Sequence, residues 1–92
     1  MSEAEEREGV VMYWRPGCVF CMNLRLSLLF TRLRYTKRNI WRDEDAAAFV
    51  RSVADGNETV PTVTVAGHVM VNPSKRQLLD AVRTHAPHLL AP

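Results

Sequence analysis

The chain predicts an α/β fold of order β-α-β-α-β-β-α, with a four-stranded mixed sheet flanked by helices. Three observations predict it. A short apolar run, Val10–Trp14, leads into a leucine-rich stretch of helical character. A second helical period opens behind an acidic cluster at Asp43, Glu44 and Asp45. Two β-branched runs then flank a glycine before a final stretch that carries its own helix-start signal. The first β-α-β reads as a right-handed parallel crossover, and the later hairpin completes the sheet with helices on both faces.

Each element has its own warrant. Val10–Trp14 is a short buried strand, and Arg15-Pro16-Gly17 breaks the chain after it. The helical period from Val19 to about Arg34 places Met22, Leu26, Leu29, Phe30 and Leu33 on one apolar face, widened by Leu24 and Leu28. That face is expected in the core, with Asn23, Arg25, Ser27 and Arg32 outside it. Tyr35 to Ile40 alternates as a strand, and its polarity suits an edge. Asp43 is a helix cap, with Glu44 and Asp45 favourable at the positive end of the dipole. Ala46, Phe49, Val50 and Val53 continue that helix to a stop at Gly56-Asn57. Residues 59–65 form a β-branched strand that turns at Gly67-His68 into residues 69–71. Ser74 and Gln77 make a capping box for a helix through Leu78, Leu79, Val82 and His85, ended by Pro87.

Ninety-two residues accommodate one domain, expected at 10–86 between an acidic disordered tail (1–9) and a C-terminal tail (87–92). Apolar residues make up 47% of the chain, enough for a packed core. No apolar run is long enough to span a bilayer and no signal peptide is evident, so a cytoplasmic protein without membrane contact is expected. The net charge of +2 conceals an asymmetry, because Arg15 to Arg42 holds seven basic residues and no acidic one. Solvated faces of a helix and a strand account for that stretch better than a nucleic-acid surface, since no aromatic-basic interleaving accompanies it.

The chemistry is concentrated at Cys18-Val19-Phe20-Cys21, which holds both cysteines of the chain. The spacing puts the two sulfurs on one side of the first turn of a helix, close enough to bridge. Cys18 stands at the helix start, where unpaired N–H groups and the dipole favour a thiolate, and the Arg15 cation favours it further. The loop after the first strand also lies at the carboxyl edge of the sheet, where open α/β sheets place their chemistry. A structural disulfide closing so small a loop gains little. A zinc site lacks two further ligands: His85 and His88 flank Pro87 near an end expected to fray, so no metal is assigned. Thiol–disulfide chemistry is the reading that remains.

The element order, together with the C-x-x-C after a strand, Thr59-Val60-Pro61, and the hairpin at Gly67 before a capped helix, resembles the thioredoxin fold and its glutaredoxin branch. The resemblance implies a cis Pro61 beside the cysteines, with the Val60 backbone available to pair with a bound thiol like an added strand. Glutaredoxins usually carry Gly-Gly and an acidic residue after the last strand, to hold the γ-glutamyl end of glutathione. This chain reads Val71-Asn72-Pro73-Ser74 there. With residues 46–50 and 56–61, that step is similar to the mycoredoxins, the glutaredoxin-like proteins of actinobacteria that work with mycothiol. Gly17 departs from them, since the compared mycoredoxins have Trp before the first cysteine.

What the resemblance implies is a monomeric disulfide reductase with no bound cofactor and mycothiol as thiol co-substrate. Its partners are mycothiolated or disulfide-containing proteins. Cys18 is the nucleophile and Cys21 the resolving thiol. Arg15, Phe20, Thr59, Val60, Pro61, Asn72 and Ser74 are the candidate substrate contacts, with Ser74 also available as a helix cap. Three alternatives stay open: an electron donor recharged by thioredoxin reductase, a dimer holding an iron–sulfur cluster, and nucleic-acid binding through the basic stretch.

Overall fold

The computed structural model describes residues 8–90, so residues 1–7 of the expected acidic tail and the last two residues lie outside it. Strand β1 (Val10–Trp14) is central, as its apolar sequence requires, and pairs on both sides. It runs parallel to β2 (Thr36–Asn39), with Val11 opposite Thr36, and antiparallel to β3 (Thr62–Val65), with Val11 opposite Thr64. Strand β4 (His68–Val71) adds antiparallel to β3, giving the order β2-β1-β3-β4. The polar β2 takes an edge, as its composition predicts, and every residue of β3 is buried.

Helices cover both faces of this sheet. On one face, Val10 and Met12 of β1 and Val63 and Val65 of β3 pack against α1 (Val19–Ser27) and α3 (Lys75–His85). Leu24 and Leu28 anchor α1 there; Leu78 and Val82 anchor α3. On the other face, Ala46, Ala47 and Val50 of α2 (Glu44–Val53) join Ile40, Val60 and both cysteines. The caps are those the sequence predicts. Asp43 accepts the Ala46 N–H at 3.1 Å while Arg38 donates to its second oxygen at 2.6 Å. Ser74 and Gln77 close a reciprocal capping box at 3.1 and 2.9 Å.

The structure corrects the reading of α1 in two respects. The helix ends at Ser27 instead of continuing to Arg34. Beyond it the backbone bonds shift to the tighter i−3 spacing, with Leu29 N–H to Leu26 and Thr31 N–H to Leu28. The hydroxyls of Ser27 and Thr31 add side-chain bonds to the carbonyls of Leu24 and Leu28, a competition that weakens helix continuation. Arg32 then adopts φ 59°, which no right-handed helix contains. The second correction concerns the buried face. Of the predicted core stripe only Leu33 is buried; Met22, Leu26, Leu29 and Phe30 face solvent, and Leu24 and Leu28 do the anchoring.

Smaller differences have equally local causes. Strand β3 begins at Thr62 and not at residue 59, because the Val60-Pro61 peptide is cis and the chain turns there. The hairpin turns at Ala66-Gly67, with φ of 48° and 87°, the doubly left-handed geometry that matches strand twist; His68 already belongs to β4. The segment after Pro87, expected as a loose tail, forms a 3₁₀ turn (Pro87–Leu89). Leu90 bridges antiparallel to Leu33, and the Arg34 N–H bonds the Leu89 carbonyl at 3.2 Å. Buried Ala86 and the apolar Leu89 and Leu90, packed on the α1–α3 layer, hold that segment down.

The orientation of α1 gives a paired expectation. Leu24→Ala removes a buried anchor and lowers unfolding stability by about 3 kcal/mol. Leu26→Ala, on the opposite face, changes it by less than about 0.5 kcal/mol. Urea denaturation of both variants checks this, and equal losses would refute the assignment of faces.

Candidate active site

The Arg15-Pro16-Gly17 turn delivers the chain from the end of β1 to the start of α1. Gly17 has φ 78°, a conformation in which a side chain is strained, so the turn requires glycine although space for a Cβ exists. Cys18 follows in extended conformation (φ −83°, ψ 112°) and is the N-cap of α1. Its sulfur accepts the Cys21 backbone N–H at 3.3 Å, the role a serine or aspartate oxygen plays in ordinary caps. As a thiol it also donates to the Val60 carbonyl, with Sγ 3.7 Å from the oxygen. Cys21 sits one turn into the helix and is almost wholly buried, at 1% exposure against 5% for Cys18. Both are unbridged, in the reduced form.

The two thiols have opposite electrostatics. Burial is the largest influence on Cys18 and by itself raises its pKa. It is outweighed by the Cys21 thiol and N–H donating to the sulfur, by the Arg15 charge and by the Phe20 N–H, so Cys18 lies below the ordinary thiol value of 9.0. For Cys21 burial again leads, and the hydrogen bond it gives to Cys18 and the charge of that neighbour act in the same direction. Its pKa is pushed up to about 12. At neutral pH the pair therefore contains one thiolate-prone sulfur and one proton donor beside it.

The remaining predicted residues fall into two groups. Val60 lies against the cysteines, through the Cys18–Val60 contact and the shared apolar cluster, and Pro61 follows it, buried, across the cis bond. The Asn72 N–H donates to the Pro61 carbonyl at 2.7 Å, which fastens the end of β4 to the cis-proline turn. Thr59 is half-buried in that loop, and its carbonyl accepts the Thr62 hydroxyl. Arg15 acts on Cys18 by charge while its guanidinium lies over the Trp41 ring, 5.8 Å from the centroid. Ser74 is committed to its capping box. Beside the cysteines a groove of about 440 Å³ is lined by Phe20, Asn72 and Ser74 together with Asn23, Ser27 and Lys75. The last three were missed by sequence reasoning. Asn23 and Ser27 had a signal, because Phe20, Asn23 and Ser27 recur at the i, i+3, i+7 spacing of one helix face; Lys75, at the start of α3, had none. Among the described residues no group of three or more His, Cys, Asp or Glu side chains is arranged to hold a metal.

The family model described as Glutaredoxin matches residues 10–70. The chain belongs to the glutaredoxin family. The Mycobacterium tuberculosis protein "Putative glutaredoxin Rv3198A" is 39% identical over 67 residues, covering 72% of this chain and 80% of that protein. Three solved structures share the fold. The thioredoxin-like protein BC3987 superposes with a TM-score of 0.68 at 21% identity, over 78% of this chain and 97% of its own. The holo form of glutaredoxin C1 from Populus tremula x tremuloides gives 0.59 at 16% identity, over 91% and 85%. The buckwheat glutaredoxin–glutathione complex gives 0.60 at 19% identity, over 87% and 74%. At these identities the structures establish the thioredoxin-type fold and no more. Family membership makes this glutaredoxin a thiol–disulfide oxidoreductase that acts with thiol and disulfide partners. No helix among the described residues is long and apolar enough to cross a membrane.

The difference between the thiols is open to direct measurement. Alkylation of reduced protein by iodoacetamide, followed by mass spectrometry, is expected to label Cys18 and leave Cys21 unmodified at neutral pH. The Cys18 rate rises with pH through a midpoint below 9.0 and then levels off, because only the thiolate reacts. Arg15→Gln moves that midpoint upward by removing the favourable charge. Equal labelling of both cysteines in the folded protein would contradict the assignment.

Proposed function

We propose that this glutaredoxin is a mycothiol-linked disulfide reductase with Cys18 as nucleophile and Cys21 as resolving thiol. The observation that carries the reading is the Cys18 sulfur itself, held as the cap of α1 and depressed in pKa by its donors and Arg15. Cys18 thiolate attacks the thiol-side sulfur of a mixed disulfide between a protein and mycothiol. The old S–S bond breaks, a Cys18–mycothiol disulfide forms, and the protein leaves as a thiolate that takes up a proton. A second mycothiol thiolate then attacks the thiol-side sulfur, releasing mycothiol disulfide and regenerating Cys18. Alternatively Cys21, as thiolate, attacks Cys18 and expels mycothiol, leaving an internal disulfide for an external reductant.

The neighbouring groove supports the choice of thiol. Mycothiol carries its cysteine on a hydroxyl-rich pseudodisaccharide without carboxylates, and the Asn23 and Asn72 side chains supply neutral polar groups suited to hydroxyls. Lys75 is the one cation in that lining, whereas glutathione presents two carboxylates. Gly17, where mycoredoxins have Trp, favours a second reading with identical exchange chemistry: an electron donor recharged by thioredoxin reductase.

NADPH consumption on a mycothiol mixed disulfide separates the two. One arm contains mycothiol with its disulfide reductase, the other thioredoxin reductase alone. Turnover in the mycothiol arm is expected; turnover confined to the other arm would replace it with the second reading. Cys18→Ser lowers the rate by at least about a thousandfold. Cys21→Ser spares the monothiol route and abolishes reduction of protein disulfides that need both sulfurs. Unchanged activity in Cys18→Ser would end the proposal.

A further inference from the structure

The outward face of α1 carries an apolar stripe that the core does not use. Val19, Met22, Leu26 and Leu29 recur at i, i+3, i+7 and i+10, and all are exposed, Leu26 at 60%. Phe30, at 95%, extends the stripe. It starts beside Cys18 and Cys21, follows α1 for about 10 Å from Val19 to Leu26, and continues through Leu29 past the helix end at Ser27. It is also concave: a groove of about 290 Å³ lies between Met22, Leu26 and Leu29 on one side and Tyr35 and Lys37 on the other, with Arg25 at its rim. Contiguous exposed apolar surface of this kind marks an interaction site, and four large apolar side chains at core-like spacing are not a scatter of single residues.

The charges around the groove choose among occupants. Arg25 and Lys37 line it, and the sequence from Arg15 to Arg42, which supplies every residue of the groove, has no carboxylate. A second copy meeting the same face by two-fold symmetry would set cations against cations. A bilayer needs a convex apolar face, and here the strand wall at Tyr35 and Lys37 rises beside the stripe. The chain's own acidic terminus, Met1-Ser2-Glu3-Ala4-Glu5-Glu6-Arg7, lacks the aliphatic side chains to fill an apolar groove. A protein segment with aliphatic residues on one side and carboxylates flanking them satisfies both the stripe and its rim.

We propose that this groove docks an acidic amphipathic segment of the protein whose disulfide is reduced, bringing that disulfide within reach of Cys18. The proposal rests on the redox reading above, and its test keeps the two separable. Two synthetic peptides of about 14 residues, four helical turns, carry one cysteine activated as a 2-pyridyl disulfide. One has leucines flanked by glutamates; in the other lysines replace the glutamates. Attack of Cys18 thiolate on the peptide sulfur forms a Cys18–peptide disulfide and expels pyridine-2-thione, followed by its absorbance.

The acidic peptide is expected to react about tenfold faster than the basic one at low salt, the advantage shrinking at about 0.5 M NaCl. The double variant Leu26→Gln/Leu29→Gln loses the advantage while its rate with 2,2′-dipyridyl disulfide stays at the wild-type value. Equal rates for the two peptides, or an advantage that survives in the double variant, would overturn the docking site. So would wild-type protein that ignores peptide charge but sediments with phosphatidylglycerol vesicles or as a dimer. Absence of pyridine-2-thione release even from 2,2′-dipyridyl disulfide would instead strike at the reactivity of Cys18.

Discussion

The bond from the Cys21 N–H to the Cys18 sulfur is the contact on which the rest of the site depends. It caps α1, so the helix starts at Val19 and its first-turn N–H groups converge on the sulfur. The same bond stabilises negative charge on that sulfur, so structural and chemical roles fall on one atom. Sulfur is a weaker acceptor than the oxygen of Ser or Asp, which makes Cys18 a modest cap as a thiol and a better one as a thiolate. The helix therefore needs other anchorage. Leu24 and Leu28 give it, seated on the β1–β3 layer and supported by Leu78 and Val82 of α3.

That anchorage explains what was legible in the sequence and what was not. The cysteines, the Thr59-Val60-Pro61 turn, the Asp43 cap and the Ser74–Gln77 box are local signals, each fixed by a residue type at a fixed spacing. The structure places them accordingly. The buried face of α1 is a different kind of question. Residues 19–30 contain two apolar stripes, Leu24 with Leu28 and Met22 with Leu26 and Leu29, and hydrophobic period alone cannot rank them. The sheet decides by position: the stripe carrying Cys21 must turn inward to bring the second sulfur beside Cys18, and Leu24 and Leu28 follow it at helical spacing. The longer stripe is left outside. The end of α1 was hidden for a related reason, because Ser27 and Thr31 act through carbonyl bonds that a count of leucines does not register.

The inward stripe packs in the core and the outward one is exposed, which lets stability and the proposed recognition be altered separately. The polar groove across Phe20, Asn23 and Ser27 occupies a third face of the same short helix. One nine-residue helix thus presents a core face, a groove suited to a small thiol and an apolar face suited to a protein. In the proposed exchange the small thiol would lie in one groove and the departing protein on the other face, with the disulfide between them in line with the Cys18 sulfur.

The raised pKa of Cys21 bears directly on the resolving role proposed for it. In the reduced state its thiol is held protonated by burial, by the bond to Cys18 and by the charge on Cys18. Two of these three causes exist only while Cys18 is a thiolate. Once Cys18 is bound in a mixed disulfide its charge is gone and its sulfur is a poor acceptor, so the Cys21 pKa falls toward the value set by burial against the Arg15 N–H and charge. In the proposed reaction Cys21 is therefore silent before Cys18 has reacted and becomes available afterwards. Because burial persists, the Cys21 thiolate stays scarce, and a second small thiol competes for the same disulfide on favourable terms. In the proposed scheme, the depth at which Cys21 is buried against Ile40, Ala46 and Val50 would set the balance between monothiol and dithiol routes.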